Sequence, residues 1–168
     1  MAQLIKHGVA TTDSWQILDL AAGESPETVA LPEGDVIFPL AVWQARKDEI
    51  VSRPTIGLLL QPADRVEDVA GELASFNLIA VNFPKFVDGR GYSTAALLRQ
   101  RYGYTGELRA VGDVLHDQLF FMRRVGFDSY ALKEGKSLDY AIAAGFKPFT
   151  EAYQGATDQA QPYFRRRA

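Results

Sequence analysis

The chain has 168 residues, of which 47% are hydrophobic and 23% charged, and its formal net charge is −3. This length and composition predict one domain with a sizeable core, and the mild acidity argues against a nucleic-acid partner. The absence of cysteine excludes disulfides and thiolate catalysis, and two distant histidines, His7 and His116, do not predict a metal site.

The first 35 residues are predicted to form an N-terminal hairpin and a connector. Strand-like runs at 3–7 and 14–20 flank the loop 8–13, which is the spacing of a hairpin with a longer loop. Residues 21–33 contain Gly23, Pro26 and Pro32, which are typical of a connecting segment.

Residues 36–149 predict about five βα units. Each unit pairs an apolar strand with an amphipathic helix that ends near a glycine or a polar loop. The predicted strands are 36–38, 55–60, 78–83, 108–111 and 127–132, and the predicted helices are 40–51, 65–76, 94–102, 115–125 and 137–144. The strands are continuously apolar, as expected when both faces of a parallel sheet are covered.

This pattern predicts a single α/β domain over 1–168 with a parallel sheet. The short repeats favour a partial barrel, like part of a (βα)8 barrel, and the alternative is an open, doubly wound sheet of five strands. Exposed sheet edges would need the hairpin or a second chain to cover them, so we expect a homo-oligomer. No apolar run reaches the length of a membrane span, and we expect a cytoplasmic protein without a membrane partner.

The C-terminal arm, 150–168, is polar and ends in an arginine-rich sequence, Tyr163-Phe164-Arg165-Arg166-Arg167. Two interpretations stay open for it. It is either a frayed cationic terminus or an arm that docks on a neighbouring subunit through its aromatic residues.

A charged, glycine-rich loop follows the third predicted strand and indicates an anion site. Lys85 and Arg90 are cations, Gly91 allows close approach of the backbone, and Ser93 is a candidate helix cap beside Tyr92. These groups suit phosphate, sulfate, sulfite or carboxylate. Asn82 and Asp88 support the site. The alternative is a loop shaped by its glycines, with Arg90 and Asp88 paired or solvated.

Two familiar motifs are incomplete in this loop. Gly89-Arg90-Gly91 lacks the third glycine of a dinucleotide fingerprint. Gly91-Tyr92-Ser93 begins a nucleophile elbow without its tight strand-to-helix turn. We therefore predict no cofactor.

A second polar segment follows the fourth strand and is expected at the same edge of the sheet. Asp113 and His116 are candidate acid/base residues, with Asp117 in support. A carboxylate and an imidazole beside two cations are able to transfer protons near neutral pH. The alternative is that Asp113 and Asp117 stabilise the start of a helix.

The segments 82–99 and 102–118, from Asn82-Phe83-Pro84-Lys85-Phe86 to Asp117-Gln118, resemble a bacterial family of unknown function. Its members are often labelled as oxidoreductases of sulfite reduction, and their genes commonly neighbour those of assimilatory sulfite reductase. The resemblance covers about 39–149. It implies a pathway, and no catalytic residue is carried over.

These observations lead to three hypotheses for the function of the protein. The first is an accessory protein of sulfite or sulfate assimilation that binds a small oxyanion, or the sulfite reductase, through the basic loops. This is favoured because the chain lacks the ligands for metal centres that reduce sulfite. The others are an acid/base enzyme acting on a small anionic substrate and a non-catalytic interaction module.

Overall fold

The computed structural model describes residues 3–149 and 151–166. Within them, eight strands form one mixed sheet in the order β2-β1-β8-β7-β6-β5-β4-β3. The strands are β1 Gln3–Lys6, β2 Val9–Thr12, β3 Gln16–Ile17, β4 Val36–Pro39, β5 Gly57–Leu60, β6 Leu78–Phe83, β7 Glu107–Gly112 and β8 Ser129–Tyr130.

The five predicted strands correspond to β4 through β8. They lie side by side in chain order and are parallel to one another, which confirms the sequential arrangement and excludes the doubly wound order. The predicted parallel sheet is confirmed only in part, because β1 pairs antiparallel with both β2 and β8 and the sheet is therefore mixed.

The N-terminal hairpin is tighter than predicted. The turn is His7-Gly8, with φ of 50° and 82°, and two successive residues with positive φ are typical of a two-residue hairpin turn. The second predicted strand, 14–20, does not belong to the hairpin. Its central part is β3, which pairs in parallel with β4 at the opposite end of the sheet.

The short connection between β2 and β3 shows that the sheet is curled into a half-barrel. These strands are the two edges of the sheet, and seven strand spacings would separate them by about 34 Å in a flat sheet. The four residue steps from Thr12 to Gln16 span at most about 14 Å. The sheet must therefore bend until its edges approach each other.

Four of the five predicted helices are present with boundaries shifted by at most four residues, and α-helical geometry covers only part of three of them. The α-helices are α1 Leu40–Ile50, α2 Arg90–Ala96, α3 Leu119–Val125, α4 Leu138–Tyr140 and α5 Tyr163–Arg166. Wider π-type turns at Leu97–Arg101 and Ala141–Gly145 extend α2 and α4, and a 3₁₀ turn at His116–Gln118 precedes α3. None of the helices in the described ranges is long and apolar enough to span a bilayer.

The predicted helix 65–76 is replaced by two 3₁₀ turns, Val66–Val69 and Leu73–Ser75. The Asp64 carboxylate accepts the backbone N–H of Gln61 at 2.7 Å, so it does not cap a helix. Gly71 lies between the two turns, where its low helix propensity favours the break.

The two faces of the sheet are covered differently. Side chains such as Phe38, Leu60 and Val81 join the large core that also contains residues of the helices, and we call this the outer face. The inner face carries a smaller buried cluster composed of Ile37, Leu59, Leu78, Ala80 and Val111. Trp15, from the connection between β2 and β3, packs on it.

The C-terminal arm packs on its own chain over residues 151–166. Thr157 donates its N–H to the Arg124 carbonyl at 3.0 Å, and its hydroxyl accepts from Gln100 at 3.1 Å. Arg166 pairs with Glu151 at 2.9 Å. The interpretation of the arm as a frayed terminus is therefore wrong for residues 151–166. Thr150, Arg167 and Ala168 lie outside the described residues.

The expectation that the protein forms a homo-oligomer stays a prediction.

Candidate functional site

The loops after β6 and β7 leave the sheet at the same edge, as predicted. Phe83 and Gly112, the last residues of these strands, are register partners. The N–H of Asp113 donates to the Phe83 carbonyl at 2.7 Å, and the N–H of Phe86 donates to Asp113 Oδ2 at 3.2 Å. We call residues 84–89 the rim loop, and it is tied at its base to the Asp113 carboxylate.

Asp113 also reaches the loop that follows β8. Its Oδ1 lies 2.9 Å from Nζ of Lys133. The ammonium of Lys133 lowers the pKa of Asp113 below its ordinary value, with smaller contributions from Phe86 N–H and Lys136. A carboxylate held in this way is a weak proton acceptor near neutral pH. The two cations expected beside this carboxylate, Lys85 and Arg90, are not its ion-pair partners, because Asp113 pairs with Lys133 and Arg90 pairs with Asp88.

Arg90 is held by Asp88, which was the alternative interpretation of the sequence. Its Nε and Nη2 donate to the two carboxylate oxygens at 3.0 and 2.7 Å, and its backbone N–H donates to Oδ1 at 3.2 Å. The guanidinium lowers the pKa of Asp88. Asp88 thus occupies the place expected for an external anion at the start of α2, and the pair is solvent-exposed on the Arg90 side.

Gly91 has a packing role in this structure. A Cβ at this position would lie 2.6 Å from Cζ of Phe83, so only glycine lets α2 approach the end of β6 so closely. Tyr92 stacks edge-on against the same Phe83 ring at 5.4 Å. Burial raises the pKa of Tyr92.

The helix begins four residues earlier than predicted, at Arg90, so Ser93 lies inside α2 and the prediction that it caps the helix was wrong. Its side chain is exposed. Asn82 is half-buried and donates Nδ2–H to Gln61 Oε1 at 2.7 Å. This contact joins the ends of β5 and β6.

His116 and Asp117 begin the turn before α3. The imidazole of His116 lies edge-on to the Tyr140 ring at 4.9 Å. Asp117 is exposed. His116 and Asp117 therefore have the alternative role of residues at the start of a helix, here the turn before α3. Asp113 does not have this role, because it precedes the turn and holds the rim loop and the loop after β8.

The outward side of the rim loop is apolar. Phe86 is 48% exposed and Val87 is 84% exposed. Lys85 beside them is also exposed, and within residues 3–149 and 151–166 no ion pair involves it. The charged residues 88, 90 and 113 hold the loop, while its apolar side chains face solvent.

Sequence reasoning missed an ion-pair network on the inner face. Arg109, in β7, donates Nη1–H to both oxygens of Asp13 at 2.9 and 3.0 Å and pairs with Glu107 at 2.7 Å. Lys6 pairs with the same glutamate at 2.6 Å. Arg109 is 3% exposed. The signal in the sequence was a charge inside the apolar run 108–111, which requires a buried partner.

Together these features define an α/β half-barrel with a pinned rim loop at the carboxyl edge of its parallel strands. Residues 57–164 match a family described as "Bacterial protein of unknown function (DUF934)", which is 108 of the 168 residues, so the chain belongs to this family. The family description assigns no reaction or pathway. No curated protein matches the chain.

Proposed function

We propose that this protein is a non-catalytic accessory protein of sulfite or sulfate assimilation that docks on a partner protein through the rim loop. The resemblance described for residues 39–149 supports this pathway. The same resemblance makes the sulfite reductase the partner that we propose. The observation that carries the docking role is the exposed apolar pair Phe86-Val87 on a loop that is fastened from both sides.

Pre-organisation makes this loop suited to recognition. Asp113 fixes Phe86 through its backbone N–H, and Asp88 ties the far end of the loop to Arg90. A fixed backbone loses little conformational entropy on binding. Exposed aromatic and aliphatic side chains with a charged surround are typical of the energetic centre of a protein interface.

The test is binding to purified assimilatory sulfite reductase, measured by biolayer interferometry. The double substitution Phe86→Ala with Val87→Ser is expected to weaken binding by about tenfold or more. Phe121→Ala is the matched control, because Phe121 is 50% exposed on α3 and lies outside the rim loop. Equal binding by the double variant and the control would remove the rim loop from the interface.

A small oxyanion is the second candidate ligand. Lys85 is exposed, and the Arg90 guanidinium keeps Nη1 outside its contacts with Asp88. Both groups are able to donate charge-assisted hydrogen bonds to sulfite or sulfate. Calorimetry with either anion should then show binding that Lys85→Met and Arg90→Ala each weaken. Unchanged binding in Arg90→Ala removes that residue from the site.

An acid/base enzyme has less support. Asp113 has a lowered pKa and an ion-pair partner, and His116 packs on Tyr140. If this chemistry exists, Asp113→Asn should abolish a turnover while the protein stays folded.

A further inference from the structure

A cavity lies at the end of the sheet opposite to the rim loop. Its volume is about 390 Å³, which is within the range of roughly 300–1,000 Å³ found for small-molecule sites. It opens between the His7-Gly8 turn, the last turn of α3 and the turn after α4, and Asp128 at its edge immediately precedes β8.

The walls of this cavity are largely aromatic. The buried residues Phe127, Tyr130 and Phe146 line it together with the half-buried Ile142. The Tyr130 and Phe146 rings meet edge-on at 5.2 Å, and the Tyr130 hydroxyl donates to the Phe127 carbonyl at 2.7 Å. Because that hydroxyl is already bonded within the protein, the walls favour an apolar body in the cavity.

The edge of the cavity carries a surplus of positive charge. Arg123 and Lys147 line it, and in the described parts of the chain neither forms an ion pair with a carboxylate. Arg123 donates one Nη2–H to the Phe146 carbonyl at 3.2 Å. The one carboxylate of the lining, Asp128, is bound by Arg99 at 2.9 Å and by the N–H of Leu108 at 3.0 Å.

We infer that this cavity binds an organic anion with an aromatic or bulky aliphatic body and a carboxylate, sulfonate or phosphate head. The body would lie against Tyr130 and Phe146, and the head would meet Arg123 and Lys147. Arginine and lysine bind anions by charge-assisted hydrogen bonds. These hydrogen bonds are stronger beside apolar walls, because the local dielectric constant is low. This site is separate from the rim loop and does not depend on the function proposed for it.

Calorimetry with three probes tests the two parts of this recognition. The probes are 2-naphthalenesulfonate, naphthalene-2-sulfonamide, which has the same rings and an uncharged head, and inorganic sulfate, which has a charged head only. We expect the sulfonate to bind about tenfold more tightly than the sulfonamide and sulfate not to bind measurably. Equal affinity for the two aromatic probes, or no heat with the sulfonate at about 1 mM, would overturn the inference.

Two variants locate the binding. Ile142→Trp fills the cavity and should abolish binding, and Lys147→Glu at the exposed edge should weaken it by about fivefold. Arg65→Glu makes the same change of charge at an exposed residue outside the cavity and should leave the affinity unchanged. If Ile142→Trp does not fold, the comparison of the affinities of Lys147→Glu and Arg65→Glu for the sulfonate shows whether binding occurs in this cavity. Equal effects of these two substitutions contradict the proposed site.

Discussion

Arg109 and Asp13 are joined by two hydrogen bonds of 2.9 and 3.0 Å across 96 positions of sequence. Arg109 lies in β7, and Asp13 lies in the connection between the two edge strands of the half-barrel. The contact therefore ties the connection to the inner face of the sheet. Since the Arg109 side chain is 4% exposed and that of Asp13 is 13% exposed, the charge of Arg109 depends on Asp13 for compensation.

Asp13→Asn is expected to destabilise the protein by about 3 kcal/mol, because it leaves the buried Arg109 guanidinium with only Glu107 as a charged partner. Urea denaturation monitored by circular dichroism gives the free energy of unfolding. The control is Lys6→Met, which removes a half-exposed cation from the same network and should cost at most about 1 kcal/mol. Similar losses in the two variants would show that the connection is not held by this pair.

Gly91→Ala should destabilise the protein by about 1–3 kcal/mol, because the new Cβ collides with the Phe83 ring. The thermal midpoint of unfolding measures this effect. Gly89→Ala is a matched control two residues earlier, where a Cβ meets no atom within 4 Å, and it should change the stability by less than about 0.5 kcal/mol. If both substitutions are tolerated equally, α2 does not depend on close contact with β6.

Arg99→Met is expected to cost about 3 kcal/mol, since Arg99 holds four partly buried acceptors at once. Its guanidinium donates to the carbonyls of Tyr104, Gly106 and Gly126 and pairs with Asp128. Chemical denaturation of Arg101→Met provides the comparison. Arg101 is exposed beside Tyr102, so its loss should fall within about 0.5 kcal/mol. A small effect at Arg99 would mean that water replaces the guanidinium at these acceptors.

Asp113 should titrate at lower pH than an ordinary aspartate, because the Lys133 ammonium favours the charged carboxylate. The folded-state pKa lies below the unfolded one. The ion pair therefore stabilises the fold above the ordinary carboxyl pKa, and this contribution is lost as the pH falls through the folded-state value.

Carboxyl-carbon NMR titration of Asp113 measures this pKa directly. Lys133→Met should raise it towards the ordinary value, and Lys147→Met, which removes a lysine at the other end of the sheet, should leave it unchanged. An identical titration in the wild type and in Lys133→Met would contradict the ion pair.

The strands were predictable because their signal is local. The run 78–83 is β6 to the residue, and 108–111 lies within β7. Parallel order then placed residues 83 and 112 at one edge of the sheet, since parallel strands end together. The helices were less predictable. The predicted helix 65–76 is interrupted at Gly71. The helix predicted to begin after Ser93 begins at Arg90 instead, so Ser93 does not cap it.

Local patterns in the chain were sufficient to predict the apolar strands and the common edge at which two charged, polar loops leave the sheet. The folded structure was needed to establish that the sheet curls, that Asp88 binds Arg90, and that Lys133 binds Asp113. It also decided that Arg109 is buried with Asp13. The physical reason is that apolar periodicity acts between near neighbours in the chain, whereas the choice of an ion-pair partner depends on burial and on distances between segments far apart in sequence.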